Sequence, residues 1–104
     1  RGLVDLGLIV NITEIDITMP AGGWSGSTAE FDSQAAELLA ATLETYFEVV
    51  PENQREHVSF WQLGDSYTPW PENNGKAERP CPFDSSLVRK PIYTAALNTL
   101  LGAT

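Results

Sequence analysis

The segment Leu8-Ile9-Val10-Asn11-Ile12-Thr13-Glu14-Ile15-Asp16-Ile17 is dense in β-branched residues and follows Gly7. Its first half is a near-continuous apolar run, the pattern of a strand covered on both faces, as in parallel sheets. From Ile12 onward polar and apolar residues alternate. That alternation predicts Ile12, Glu14 and Asp16 on one side and Thr13, Ile15 and Ile17 on the other. Two carboxylates near the carboxyl end of a buried strand are costly unless something uses or satisfies them. Any fold for this chain must bury that strand and still find a place for Glu14 and Asp16.

Cover for the strand comes from the segments after it. A loop from Met19 to Thr28 is rich in Gly, Ser and Pro and holds Trp24. Asp32 or Ser33 then serves as an expected N-cap for a helix that runs to about Val50, where Pro51 closes it. Ala36, Leu39, Ala40, Leu43, Tyr46, Phe47 and Val50 recur at three and four, a single core-facing stripe. Glu30, Glu37, Glu44 and Glu48 form its solvated side. A polar turn, Glu52 to Glu56, leads to a second predicted strand, His57-Val58-Ser59-Phe60-Trp61-Gln62-Leu63. A long irregular stretch, Gly64 to Lys90, holds Asp65, Tyr67, Trp70 and Cys81, and loops of this length in a compact domain usually serve function. Pro91 opens a last helix with Ile92, Tyr93, Ala96, Leu97, Leu100 and Leu101 on its apolar face and Gly102 as its stop.

The order is β-α-β-α, with helices long enough to cross back over a sheet, so the fold class is α/β with parallel strands. The longer loops follow strands and the return from helix to strand is brief. In a (β/α) barrel the loops after the strands form the active face, and Glu14, Asp16, Trp24, Asp65, Tyr67 and Trp70 all fall there.

Composition excludes more than it selects. A formal charge of -8 on 104 residues, with Arg89-Lys90 the adjacent basic pair, argues against nucleic acid. One cysteine, Cys81, and one histidine, His57, leave no intrachain disulfide and no metal cluster to expect. No apolar run is long enough to span a membrane, and no signal-peptide pattern follows Arg1. His57 reads as a surface residue and Cys81 as a buried apolar filler.

Three motifs carry a resemblance. Ile12-Thr13-Glu14-Ile15-Asp16 resembles the I-T-E-L-D motif of glycoside hydrolase family 10, whose Glu is the nucleophile on the seventh barrel strand. Trp61-Gln62-Leu63-Gly64-Asp65-Ser66-Tyr67-Thr68-Pro69-Trp70 is similar to the family's W-G-x-x-D-x-x-S-W after the eighth strand. Pro82-Phe83-Asp84 followed by Lys90-Pro91-Ile92-Tyr93 resembles its F-D, then K-P-A-Y, at the start of the final helix. They stand in family order at family-like spacings across nearly the whole chain.

The resemblance implies that residues 1–104 are the carboxyl-terminal part of a family 10 catalytic domain. They would be the last two βα units of a TIM (β/α)8 barrel, incomplete as a barrel, since a full one needs about 250 residues. It implies a retaining endo-β-1,4-xylanase acting on xylan without a cofactor, secreted by analogy with the family. Glu14 would attack the anomeric carbon, with its partner carboxyl about 5–5.5 Å away. Asp16 would hold the nucleophile oriented and charged, together with a histidine from another strand. Trp61 and Trp70 would wall the sugar, whose apolar C–H faces suit indole surfaces. Trp24 is a further candidate platform without a family motif behind it, and Tyr93 is expected to pack.

Several positions depart from the pattern. Gln62 replaces a glycine, Pro69 lengthens the Trp61-to-Trp70 interval by one residue, and a cysteine pair often found ahead of the eighth strand is missing. The family's general acid follows the fourth strand and lies outside this chain, as does the histidine partner of Asp16. The missing amino-terminal part of the barrel is therefore an expected partner, and the isolated chain is expected to be inactive. Two alternatives stand beside this reading: a non-catalytic sugar-binding fragment using the tryptophans, and an unrelated small α/β interaction domain.

Overall fold

The structure is a computed structural model and describes residues 2–67, 72 and 76–102. A single helical turn, α1 (Gly2–Asp5), precedes strand β1 (Ile12–Ile15), the long helix α2 (Thr28–Val49), strand β2 (Val58–Phe60) and helix α3 (Pro91–Gly102). Short 3₁₀ turns, Glu52–Gln54 and Asp65–Tyr67, flank β2. The β-α-β-α order holds, and β1 and β2 pair in parallel, as expected of this class. The α1 turn has no signal of its own in the sequence.

Both strands are shorter than predicted, and β1 is irregular. Ile12 pairs with Val58 and Ile15 with Phe60, so β1 spends three residues where β2 spends two. The surplus is taken up by a bulge at Glu14, whose φ of 56° is left-handed. This overturns the simple alternation. Ile12 packs against the core together with Ile15 and Ile17, and Thr13 and Glu14 are exposed.

Helix α2 starts earlier than predicted. Ser27 is the N-cap, its Oγ accepting from Glu30 N–H at 3.1 Å. Ser27-Thr28-Ala29-Glu30 has the S-x-x-E form that favours this start. Asp32 and Ser33, the two predicted caps, both lie inside the helix, and Asp32 is buried. The apolar stripe shifts slightly, to Phe31, Ala35, Leu39, Leu43 and Tyr46, and the four predicted surface glutamates are exposed.

The core joins Met19, Phe31, Ala35, Leu39, Leu43, Ile92 and Ala96, with Ile12, Ile15, Ile17, Val58 and Phe60 partly buried against them. It therefore lies between the two helices and one side of the sheet. On α3 only Ile92 and Ala96 are buried, and Leu97, Leu100 and Leu101 remain exposed. Leu3, Leu6, Leu8 and Ile9 before β1 are exposed as well. The apolar run that suggested a strand covered on both faces is covered here on one.

Candidate active site

The two strands run in the same direction, so their carboxyl ends and the loops after them share one end of the sheet. Trp61 N–H reaches the carbonyl of Ile15 at 3.4 Å, which sets the residue after β2 beside the residue after Glu14. Glu14 stands exposed on its bulge, and Trp61 is 48 % exposed, unusual for so large an apolar side chain. The predicted acid and aromatic thus lie at the same end of the sheet, on neighbouring strands. Trp70 lies outside the described residues.

Asp16 lies on the other side of Ile15 from Glu14 and is half-buried, with its Oδ1 shut away from solvent. Its neighbour is Cys81. Burial pushes the Cys81 thiol up to about 11, and the charges of Asp65 and Asp16 push the same way against the opposing effect of Lys90. Cys81 is fully buried, in keeping with the filler role expected of it.

Trp24 is placed differently from Trp61. Its indole Nε1–H donates to the Ser27 carbonyl at 2.9 Å, and its ring meets Phe31 edge-on at 5.6 Å between centroids. The turn is close-packed at Gly26, where a Cβ would come within 3.0 Å of the indole nitrogen and would displace the Glu30 carboxylate. Much of Trp24 is therefore committed to closing its own loop onto α2.

Nothing in the sequence pattern foretells how the irregular stretch after β2 is organised. Segment 76–82 lies across the loop between β1 and α2. Lys76 Nζ donates to the carbonyls of Trp24 at 2.5 Å and Gly26 at 3.0 Å. Glu78 Oε1 accepts from Met19 N–H at 2.8 Å, and the Pro80 carbonyl accepts a long 3.5 Å bond from Ile17 N–H. Arg79 forks onto Asp32 of α2, with Nε at 3.0 Å from Oδ1 and Nη2 at 2.7 Å from Oδ2. That hydrogen bonding raises the guanidinium pKa further above its usual range.

A buried ion pair anchors the far end. Lys90 Nζ donates to both oxygens of Asp65, at 3.1 and 3.0 Å, and to the Arg79 carbonyl at 2.8 Å. Asp65 Oδ1 also accepts from Cys81 N–H at 2.9 Å. Lys90 comes within 4.0 Å of Asp32, so two carboxylates and two cations form one buried, charge-balanced cluster. Buried charges persist only when compensated in this way. Asp84 closes the neighbouring turn, accepting from Ser86 and Val88 N–H groups at 2.8 and 2.9 Å, chiefly the latter holding its carboxyl below the usual range. Phe83 stacks edge-on against Tyr93 at 5.3 Å, the packing role expected of Tyr93. Of the motif residues, Asp65, Phe83, Asp84, Lys90 and Tyr93 thus build the frame, and Glu14 and Trp61 stand on it.

Among the described residues no group of three or more His, Cys, Asp or Glu is arranged to hold a metal, and no helix is long and apolar enough to cross a membrane.

Residues 1–99 match the model of glycosyl hydrolase family 10. The chain is 28% identical over 117 aligned positions to endo-β-1,4-xylanase Xyn10C of Cellvibrio japonicus, an alignment covering 98% of this chain and 19% of that protein. Among solved structures, a mutant xylanase 10C from Cellvibrio japonicus in complex with xylopentaose superposes with a TM-score of 0.82 at 27% identity, over 97% of this chain and 23% of the other. Xylanase 10B from Thermotoga petrophila in complex with xylobiose gives 0.77 at 26% identity, over 97% and 29%. The chain therefore spans about a fifth of its curated relative's length.

Proposed function

Since the chain belongs to glycosyl hydrolase family 10, we propose that it forms the last two βα units of a retaining endo-β-1,4-xylanase barrel and carries the nucleophile on Glu14. The observation that carries this reading is the juxtaposition of Glu14, exposed on a strained bulge, with the exposed indole of Trp61 at the carboxyl ends of paired parallel strands. Strained backbone at a charged residue is a recurrent mark of functional sites. The xylobiose and xylopentaose bound by the related structures support a xylo-oligosaccharide as the ligand.

In this reading the Glu14 carboxylate attacks the anomeric carbon while an acid from the amino-terminal part of the barrel protonates the departing oxygen. Water then cleaves the glycosyl ester, giving its proton to that same group, and the anomeric configuration is retained. Asp16, acting with a histidine from the amino-terminal part of the barrel, keeps Glu14 oriented and ionised. Trp61 supplies the apolar wall for the sugar, with Trp70 as a second wall. Trp24, its indole N–H spent on Ser27, would offer a sugar only the part of its face left exposed. Secretion follows the family.

A 2-fluoro-xylobioside with a good leaving group tests this. Mixed with the amino-terminal portion of a family 10 xylanase, the chain should gain the mass of one glycosyl unit on Glu14. Binding of xylan without that adduct would favour a non-catalytic sugar-binding fragment, and absence of both would remove either role.

A further inference from the structure

Four residues of segment 76–82 bond to the loop after β1 or to the start of α2, and the partners on the two sides are 47 to 63 positions apart in sequence. Lys76 closes Trp24 and Gly26, Glu78 closes Met19, Arg79 closes Asp32, and Pro80 closes Ile17. The last contact lies one residue beyond Asp16 and three beyond Glu14. The segment is itself fixed from behind, by Lys90 on the Arg79 carbonyl and Asp65 on the Cys81 amide. Nothing in this arrangement reaches the Glu14 carboxylate, yet it fixes the chain on which Glu14 and Asp16 stand.

We propose that segment 76–82 is a strap that holds the loop after β1, and with it Asp16 and Glu14, in the geometry the displacement needs, with Arg79 as a positioning residue for that reaction. This rests on the reading of Glu14 as nucleophile. Its physical basis is the steep dependence of reaction on alignment, since a displacement of about 1 Å originating far from the chemistry can cost about a hundredfold in rate. Arg79 is the joint that suits this role. Its planar fork ties the strap to the rigid α2 through both oxygens of a buried carboxylate, a geometry that lysine cannot copy.

Cys81 provides a reporter, because the sole thiol of this chain stands on the strap itself and is fully buried where the strap packs down. The experiment uses the barrel completed by supplying the amino-terminal portion of a family 10 xylanase, with cysteines there replaced. Two rates are measured: modification of Cys81 by a small thiol reagent, and glycosylation of Glu14 by the fluorinated xylobioside. Arg79→Ala should raise the first about tenfold and lower the saturated second rate about tenfold, leaving the half-saturating inhibitor concentration unchanged. Arg79→Lys should fall between. If Arg79→Ala fails to fold, Asp32→Leu with Arg79→Met removes both charges together and should show the same pair of changes. Faster thiol modification with unchanged glycosylation would make the strap structural only, and unchanged thiol reactivity would show that Arg79 does not hold it; either overturns the proposal. No adduct in the unsubstituted barrel would overturn the nucleophile reading, and this proposal with it.

Discussion

Glu14 adopts a φ of 56°, a conformation in which an L side chain crowds the backbone at a cost of about 1–2 kcal/mol. Asparagine tolerates this region and β-branched residues do not. Glu14→Asn should therefore leave the denaturation midpoint of the completed barrel nearly unchanged. Glu14→Val should lower its stability by about 1–2 kcal/mol, and both should abolish turnover. Equal stability of the two variants would show that the bulge relaxes without its glutamate.

Cys81 gives a second prediction at this scale. Its folded-state pKa is raised above that of an exposed thiol, so the buried neutral thiol contributes stability that is fully present below the ordinary value near 9.0. That contribution is lost as pH rises toward about 11. Stability of the completed barrel should fall across that window, and Cys81→Ala should make the fall shallower. Parallel pH profiles by chemical denaturation would contradict it.

At the scale of elements, the buried Asp65–Lys90 pair ties the loop after β2 to the start of α3. Lys90→Met leaves a buried carboxylate without its cation and should destabilise by about 3–5 kcal/mol. Adding Asp65→Leu to Lys90→Met should recover a large part of that loss, because two apolar groups need no mutual compensation. A double variant no better than the single would mean that the Asp65 hydrogen bond to the Cys81 amide matters more than charge balance. The elements themselves were largely legible. Three- and four-residue periodicity located α2, and Pro91 located the start of α3. The N-cap was not, because Asp32 offers the same capping chemistry as Ser27, and only its burial against Arg79 takes it out of contention. Nor was the bulge, since period-two alternation in the residues is the same whether or not a register slip interrupts it.

For the whole molecule, a two-stranded sheet is a poor independent fold. Leu3, Leu6, Leu8, Ile9, Leu97, Leu100 and Leu101 add exposed apolar surface, and large exposed patches mark interaction surfaces or aggregation hazards. The isolated chain should self-associate or stay loosely folded, with broad elution on size exclusion and rapid amide exchange in β1 and β2. Supplying the amino-terminal barrel portion should convert it to a discrete species with protected strands. A monodisperse, exchange-protected isolated chain would show that the described core suffices.

The amino-acid sequence alone determined the two strands and two main helices, their parallel α/β order and the motif positions of Glu14 and Trp61. Those depend on periodicity and on residues near one another in the chain. Only the tertiary structure showed that Asp65, Lys90, Arg79 and Asp32 form one charge-balanced cluster, and that segment 76–82 lies over the loop after β1. Partners 11 to 63 positions apart leave no periodic trace. Hydrogen bonds of that kind are chosen by which buried polar groups must be satisfied once the chain has folded. Glu14 stands between the two. Its identity was legible, but its left-handed backbone follows from pairing β1 with β2 in the register their core-facing side chains require.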